Sequence, residues 1–469
     1  MHDNLIARPS SVKVVEVCRV APLPSSTDSS IPSDQSLVTL FDLLWLRFLP
    51  VETVYIYEIP PTTNPHIFYD SILPKLKASL SLTLQHYFPL AGNLIWPQDS
   101  PKPVISFAQG DSVSLTIAES NADNFTYLSS NDFVDAKDYH PLIPPLEVSD
   151  ERVAAMAIQI TFFHNRGFTI GIIMHHAVLD GRIAFLFYKA WAHICKLGTG
   201  ILSSSSSMSL PDKLKPFHDR MAIHDPDGLG ELYANDYLNQ EGPNNRSVTH
   251  RIPPKVFPQD LVRGTFEFTR ANIQTLRDRV VKTTRVSDPS PLHLSTFSLG
   301  CAYTWICLVK AGEIKGEKTA MIFGVDVRSR LDPPVPDTYF GNCIVGRVAV
   351  AETKGLTGDD GLVVAVKAIN EALKSLDDGV FSGAELWVSK FLDFSLYDKI
   401  YSIAGSQRFE VYGTDFGWGR PKKIELVSMD KTDAVSLMDS KNGGGAVEVG
   451  MALKKPQMEV FASLFAEGL

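Results

Sequence analysis

The chain has no excess of positive charge, no paired cysteines, no apolar run of membrane length and no internal repeat. Its 469 residues carry 44 lysines and arginines against 53 aspartates and glutamates, a net charge of −9. A general nucleic-acid binder needs a basic footprint, so that class is excluded, while a local basic patch for a phosphorylated small molecule is not. The five cysteines (Cys18, Cys195, Cys301, Cys307 and Cys343) are odd in number and form no CxxC pair. That argues against a disulfide framework or a zinc ribbon and for buried thiols in a reducing compartment. No apolar run approaches the ~18 residues of a membrane span. The start, Met1-His2-Asp3-Asn4, lacks the basic-then-apolar pattern of a secretory signal. A soluble, cytoplasmic protein is expected, and the sequons at Asn124 and Asn245 read as chance. No period of 20 to 50 residues marks a solenoid.

What is present is an ordinary globular composition, 44% hydrophobic and 21% charged. At roughly 150 residues per domain, two or three domains are expected. A strand is predicted over Val12–Val20, followed by a Ser/Pro/Asp-rich loop from Pro22 to Gln35. Helical spacing runs from Ile67 to Leu84 and ends at Pro89 and Gly92. Phe168 to Met174 is short, apolar and branched, as a buried strand is. After Gly181 the period changes: Ile183, Phe187, Ala190, Trp191 and Ile194 form one helical face. From about 200 to 260 the composition is loop-like, with a serine run at Ser203–Ser207 and prolines at Pro211, Pro253, Pro254 and Pro258. A second half follows: a strand near Gly264–Thr269, an apolar helix over Ser295–Ala311, a strand over Met321–Asp326 and a loop from Arg328 to Asn342. The division expected is 1–205, a crossover at 206–260, and 261–469.

Three segments can carry chemistry. His175-His176-Ala177-Val178-Leu179-Asp180-Gly181 lies at a strand-to-helix junction. A histidine there can reach a cleft, and its ordinary pKa of about 6.5 suits it to taking a proton from a hydroxyl. A turn before Gly181 lets Asp180 fold back onto the backbone and shape the loop. A core histidine is the plain alternative. A metal site is disfavoured, because neighbouring strand residues point to opposite faces. Asp415-Phe416-Gly417-Trp418-Gly419 has two glycines around a tryptophan, as a tight loop does. No His-Arg-Asp loop accompanies it, so a kinase is discarded. Asp326-Val327-Arg328-Ser329-Arg330 runs into Tyr339-Phe340-Gly341-Asn342-Cys343. Two arginines at a strand end can hold a carboxylate or phosphate, or form a solvated charge pair. Cys343 lacks a basic neighbour and reads as a packing thiol.

Together these segments resemble the plant BAHD acyl-CoA-dependent acyltransferases. Their HxxxD motif appears as His176 to Asp180 and their DFGWG motif as Asp415 to Gly419, roughly 240 positions apart in the same order. Tyr87 to Gly92 and Leu453 to Leu469 extend the likeness along the chain. Tyr339-Phe340-Gly341-Asn342-Cys343 and Arg420-Pro421-Lys422-Lys423-Ile424-Glu425 look like the anthocyanin and phenolic-glucoside malonyltransferase branch.

The resemblance implies an α/β fold of two chloramphenicol-acetyltransferase-like domains, each a mixed sheet flanked by helices, with a solvent channel between them. It implies His176 as general base and Asp180 turned from the cleft onto an arginine, Arg328 first and Arg330 second. It puts Asp415, Gly417, Trp418 and Gly419 in support of the site, Ser295, Thr296 and Phe297 along the CoA arm, and Tyr339, Phe340, Gly341 and Asn342 at the channel. No metal and no permanently bound cofactor is implied. Acyl-CoA, malonyl-CoA above others, is a cosubstrate, and the partners are small molecules: the acyl-CoA and a hydroxylated acceptor. A monomer without nucleic-acid or membrane partner is expected.

One position departs from the branch. Some of its malonyltransferases place an arginine eight residues after the catalytic histidine, to receive the malonyl carboxylate. Here that position is Ala184, and the nearest arginine is Arg182. Two residues along a helix turn a side chain by about 200°, so Arg182 does not replace it in an unchanged backbone. A carboxylate in a dry channel needs a cation. Either another basic residue supplies it, or the donor is a different one, a hydroxycinnamoyl-CoA or another aromatic or aliphatic acyl-CoA. A non-catalytic acyl-CoA or metabolite-binding protein is the alternative of another class.

Overall fold

The structure, a computed structural model, describes residues 12–24, 34–149, 151–198, 210–240, 242–249, 260–287, 292–388 and 397–469. The serine run Ser203–Ser207 and the prolines Pro253, Pro254 and Pro258 lie outside the described residues.

Two large mixed sheets organise the molecule. The first runs Lys13–Val20, Val113–Ser120, Met156–Phe163, Gly167–Met174, Val51–Glu58 and Lys423–Leu426, in spatial order. Its central hairpin, Met156–Phe163 with Gly167–Met174, is buried along its whole length on both faces. That explains the continuous apolar run, since a strand covered on both sides has no polar face to alternate. At Gly171 the strand passes directly beneath a carbonyl: an added Cβ would lie 1.9 Å from the oxygen of Leu142. Only glycine fits there. The second sheet runs Ile344–Glu352, Lys318–Asp326, Lys399–Ala404, Ala434–Asp439, Val447–Lys454, Leu261–Phe268 and Val134–Asp135. Each sheet thus takes one strand from the other half of the chain. A smaller four-stranded sheet joins Asp34–Leu37, Val104–Phe107, Asn93–Ile95 and Arg152–Ala154. The α/β class with two domains is what the structure has; one large apolar core is built from the second half of the chain, and the other draws on both halves.

The predicted elements appear with small boundary shifts. The helix after the histidines is Gly181–Leu197 and the second-half helix is Thr296–Ala311. The segment from Pro65 begins with a short α turn, passes through a π turn at Phe68–Ile72 and continues as Leu73–His86. The crossover is not all loop: it contains the helix Leu229–Asn239. The Asp225 carboxylate accepts from the amides of Leu229 (2.8 Å) and Gly230 (2.7 Å), satisfying the helix start from a residue four positions upstream. Leu229, Tyr233 and Tyr237, four apart, are its buried face. No helix among the described residues is long and apolar enough to cross a membrane.

A buried arginine ties the sheets together. Arg263, on Leu261–Phe268 of the second sheet, reaches the strand that the C-terminal half lends to the first. It pairs with Glu425 at 3.1 Å and with Asp430, and donates to the carbonyls of Leu426 (3.0 Å) and Val427 (2.6 Å). Removing one side of a buried pair leaves a charge stranded. Arg263→Met should therefore cost about 3–5 kcal/mol of stability, read from urea unfolding. A loss near zero would mean the network contributes nothing net.

Candidate active site

The two histidines part at the end of Gly167–Met174. His175 is buried and structural: its Nδ1 accepts from the Ala177 amide (3.2 Å) and its Nε2 donates to the Val248 carbonyl (3.2 Å). His176 turns the other way and keeps part of its surface open. Its ring lies under the indole of Trp45, centroids 3.9 Å apart and planes within 8°. Phe48 stands perpendicular to it at 5.7 Å. Its Nδ1 is buried and makes no hydrogen bond of ordinary geometry. Burial lowers the His176 pKa to about 4; His175 adds to the drop, while the residue's own backbone and the Asn342 side chain act against it. The ring is thus neutral near pH 7, the state required to accept a proton.

Asp180 does not touch the imidazole. It is the N-cap of Gly181–Leu197, with Oδ1 accepting from the Ile183 amide at 3.2 Å. Its Oδ2 accepts from the Cys343 amide (3.0 Å) and pairs with Arg328 at 2.8 Å, both side chains being 1% exposed. Arg328 also holds Asp326 (3.2 Å) and donates to the carbonyls of Tyr339 (3.2 Å) and Gly341 (3.1 Å). Burial works against the guanidinium charge, but Asp180 and Asp326 outweigh it and keep Arg328 protonated. One cation therefore joins the HxxxD turn to the Tyr339–Cys343 loop. Arg330 is not in this cluster.

Asn342 forms the second link. Its Nδ2 donates to the His176 carbonyl (2.9 Å) and to Asp42 (3.0 Å), and its amide also donates to Asp42 (2.9 Å). Asp42, completely buried, is further bound by Thr39 and by Arg220. Sequence reasoning missed Asp42 and Arg220, and it missed Trp45 and Phe48. A signal for Asp42 was available: it is the lone acid in the apolar run Val38 to Leu46, and a charge in such a run has to be paired. Tyr339 and Phe340 are buried beside this link, Tyr339 with Arg328 5.9 Å above its ring. Burial pushes the Cys343 thiol up, so it stays protonated and packs.

The Asp415–Gly419 loop lies apart from His176 and braces the other end of Gly181–Leu197. Asp415 accepts from the amides of Gly417 (2.8 Å) and Gly419 (2.9 Å) and pairs with Lys196 at 2.6 Å. Partial burial opposes its charge, but Lys196 and those amides outweigh it and hold the carboxyl below its usual range. Both glycines have φ of 108°, a region closed to most side chains. Phe416 is buried against Tyr57, Tyr188 and Trp191, and Trp418 meets Phe168 and Lys75.

Ser295 caps Thr296–Ala311 through the Ser298 amide (3.0 Å), and Phe297 packs on Phe323. Among the described residues none of the three is in contact with His176; Phe297 meets the strand that ends in Asp326. Arg182 is engaged by Asp326 (2.7 Å) and Asp337 (3.5 Å), and Ala184 is on the same helix, partly open. A cavity of about 280 Å³ lies on the His175 side, walled by Phe48, Pro50, Ile173, His175 and the Lys431–Glu52 pair. Among the described residues no group of acids, histidines and cysteines could hold a metal ion.

Comparison with known proteins places these features in context. The description "Transferase family" matches residues 27–467. The malonyl-CoA:anthocyanidin 5-O-glucoside-6''-O-malonyltransferase of Arabidopsis thaliana is 40% identical, over 98% of this chain and 99% of the relative. A phenolic glucoside malonyltransferase 1 of the same plant is 39% identical over 98% of both chains. Its agmatine coumaroyltransferase is 36% identical over 97% of this chain and 98% of the relative. The crystal structure of vinorine synthase superposes with a TM-score of 0.69 at 21% identity, covering 97% of this chain and 98% of the other, and so shares the fold.

Asp180→Asn would either keep the helix cap and turn an amide NH2 toward two donors, Arg328 and the Cys343 amide, or face them with its oxygen and turn the NH2 against the Ile183 amide. A displacement of 1 Å in a catalytic group costs on the order of 10²-fold. We expect kcat to fall by about that factor with the helix intact by circular dichroism; unchanged kcat would remove Asp180 from the positioning of His176.

Proposed function

The chain belongs to the Transferase family, the BAHD acyl-CoA-dependent acyltransferases, and we propose from that premise that it moves malonyl from malonyl-CoA to a sugar hydroxyl of a flavonoid or other phenolic glycoside. The similarity to the glucoside malonyltransferases, sustained over nearly the whole length of both chains, carries this reading.

His176 acts as general base. With Nδ1 buried, Nε2 is the nitrogen that meets the acceptor. It takes the hydroxyl proton as the oxygen attacks the thioester carbonyl. The tetrahedral intermediate collapses, the carbon–sulfur bond breaks, and the imidazolium returns its proton to the departing CoA sulfur. No acyl-enzyme and no metal takes part. Asp180 and Arg328 hold the turn, and Asp415, Gly417, Trp418 and Gly419 brace the helix behind it. The first turn at Ser295, Thr296 and Phe297 lies along the CoA arm, where a helix start favours a phosphate. Tyr339, Phe340, Gly341 and Asn342, all buried, back the channel wall beside the base. Residues 1–205 carry the base, 261–469 the bracing loop, and 206–260 join them. The enzyme works as a monomer in the cytoplasm.

One observation favours a second donor. The malonyl carboxylate needs a cation, position 184 is alanine, and the Arg182 guanidinium is already engaged by two aspartates. A hydroxycinnamoyl-CoA carries no such charge, and a coumaroyltransferase is among the relatives. Intact His176 and Asp180 weigh against a non-catalytic binder.

Turnover of a phenolic glucoside with malonyl-CoA and with coumaroyl-CoA, compared directly, separates the donors: kcat/KM should favour malonyl-CoA, and the reverse order would establish the second reading. His176→Ala should lower kcat by roughly 10²–10⁴-fold without unfolding the protein; near-normal turnover would exclude it as base. The lowered pKa of His176 also sets a pH profile. Acid protonates and inactivates the base, so kcat/KM should hold through pH 6.5 and fall only as pH nears about 4. An acid limb centred at 6.5 would mean that the free enzyme's base is an unperturbed histidine.

A further inference from the structure

Taking a proton from a hydroxyl converts His176 to an imidazolium, and a cation in a buried site needs a partner. The motif's own carboxylate is engaged elsewhere: Asp180 serves Ile183, Cys343 and Arg328. Asp42 serves Thr39, Arg220 and Asn342. Among the described residues no carboxylate pairs with the His176 ring, and its titratable neighbour His175 opposes the charge.

What does meet the ring is an aromatic face. The Trp45 indole covers it at 3.9 Å with the planes 8° apart. Phe48 stands perpendicular to both rings, 5.2 Å from the indole and 5.7 Å from the imidazole, and holds the stack in place. An aromatic face attracts a cation within about 6 Å of its centre, and indole does so most strongly among side chains.

We propose that Trp45 stabilises the His176 imidazolium through its π face, at the point where a Ser-His-Asp triad would use a carboxylate. The proposal rests on His176 being the base. The attraction comes into force as the proton moves, so it lowers the barrier without tightening substrate binding. Trp45 is therefore a positioning residue that acts through His176.

Fluorinated tryptophans placed at position 45, with one to four fluorines, keep the ring's shape and drain its face of negative charge. With malonyl-CoA and a phenolic glucoside, kcat should fall stepwise, about tenfold at four fluorines, with both KM values unchanged. The His176 pKa, followed by NMR, should fall in the same order. A kcat and a pKa that both ignore fluorination overturn the proposal, even if Trp45→Leu is inactive through lost packing. The NMR measurement needs no substrate, so it decides the matter whichever donor is used. Turnover surviving in His176→Ala would remove the base reading itself; fluorination without effect beside an inactive His176→Ala would remove only the role of Trp45.

Discussion

The site depends on one buried cation. Arg328 lies at the end of a strand of the second sheet and reaches Asp180, the cap of the helix that follows the first sheet's central strand. Its other contacts are Asp326 and two carbonyls of the Tyr339–Cys343 loop. A buried ion pair is weak support for stability, because desolvation offsets most of its attraction. Its value here is geometric. Arg328 has enough donors to bind two carboxylates and two carbonyls at once, and the planar guanidinium fixes their directions. The two halves of the chain therefore meet in one arrangement at the place where His176 emerges.

That arrangement divides the labour among acidic groups. In a Ser-His-Asp triad the carboxylate orients the histidine directly. Here Asp180 orients the backbone, Asp42 orients Asn342, and Asn342 holds the His176 carbonyl. Burial disfavours the charged form of the imidazole, and the Trp45 face stacked on the ring is what offsets that cost when the proton arrives. A histidine so placed is less basic than a free one and is neutral near pH 7, and water is partly excluded from its ring. The Asp415–Gly419 loop acts at a distance in the same scheme. It grips the far end of Gly181–Leu197 through Lys196 and buries Phe416 against Tyr188 and Trp191.

Much of this was legible in the sequence, for local reasons. The strand before His175 is a continuous apolar run and the helix after Gly181 has a clear apolar stripe, so the junction that presents His176 could be placed by periodicity. The pairing of Asp180 with Arg328 came from resemblance, because nothing local joins residues 180 and 328. The stack of Trp45 on His176 and the bond from Asn342 to Asp42 were not legible, being contacts between residues far apart in the chain. The exchanged strands Lys423–Leu426 and Val134–Asp135 are too short to show a period. The helix Leu229–Asn239 was hidden in a polar, proline-containing stretch, where its buried face offers one leucine and two tyrosines beside only glycine and alanine.

The central claim is that His176 alone faces the reacting hydroxyl while Asp180 stays on Arg328. A crystal structure with a non-transferable thioether analogue of the acyl-CoA and a bound glycoside tests it most directly. The account predicts the acceptor hydroxyl about 2.6–3.2 Å from Nε2 of His176, with Asp180 still paired to Arg328. An acceptor hydroxyl held by another base, or an Asp180 carboxylate swung onto the imidazole, would contradict it.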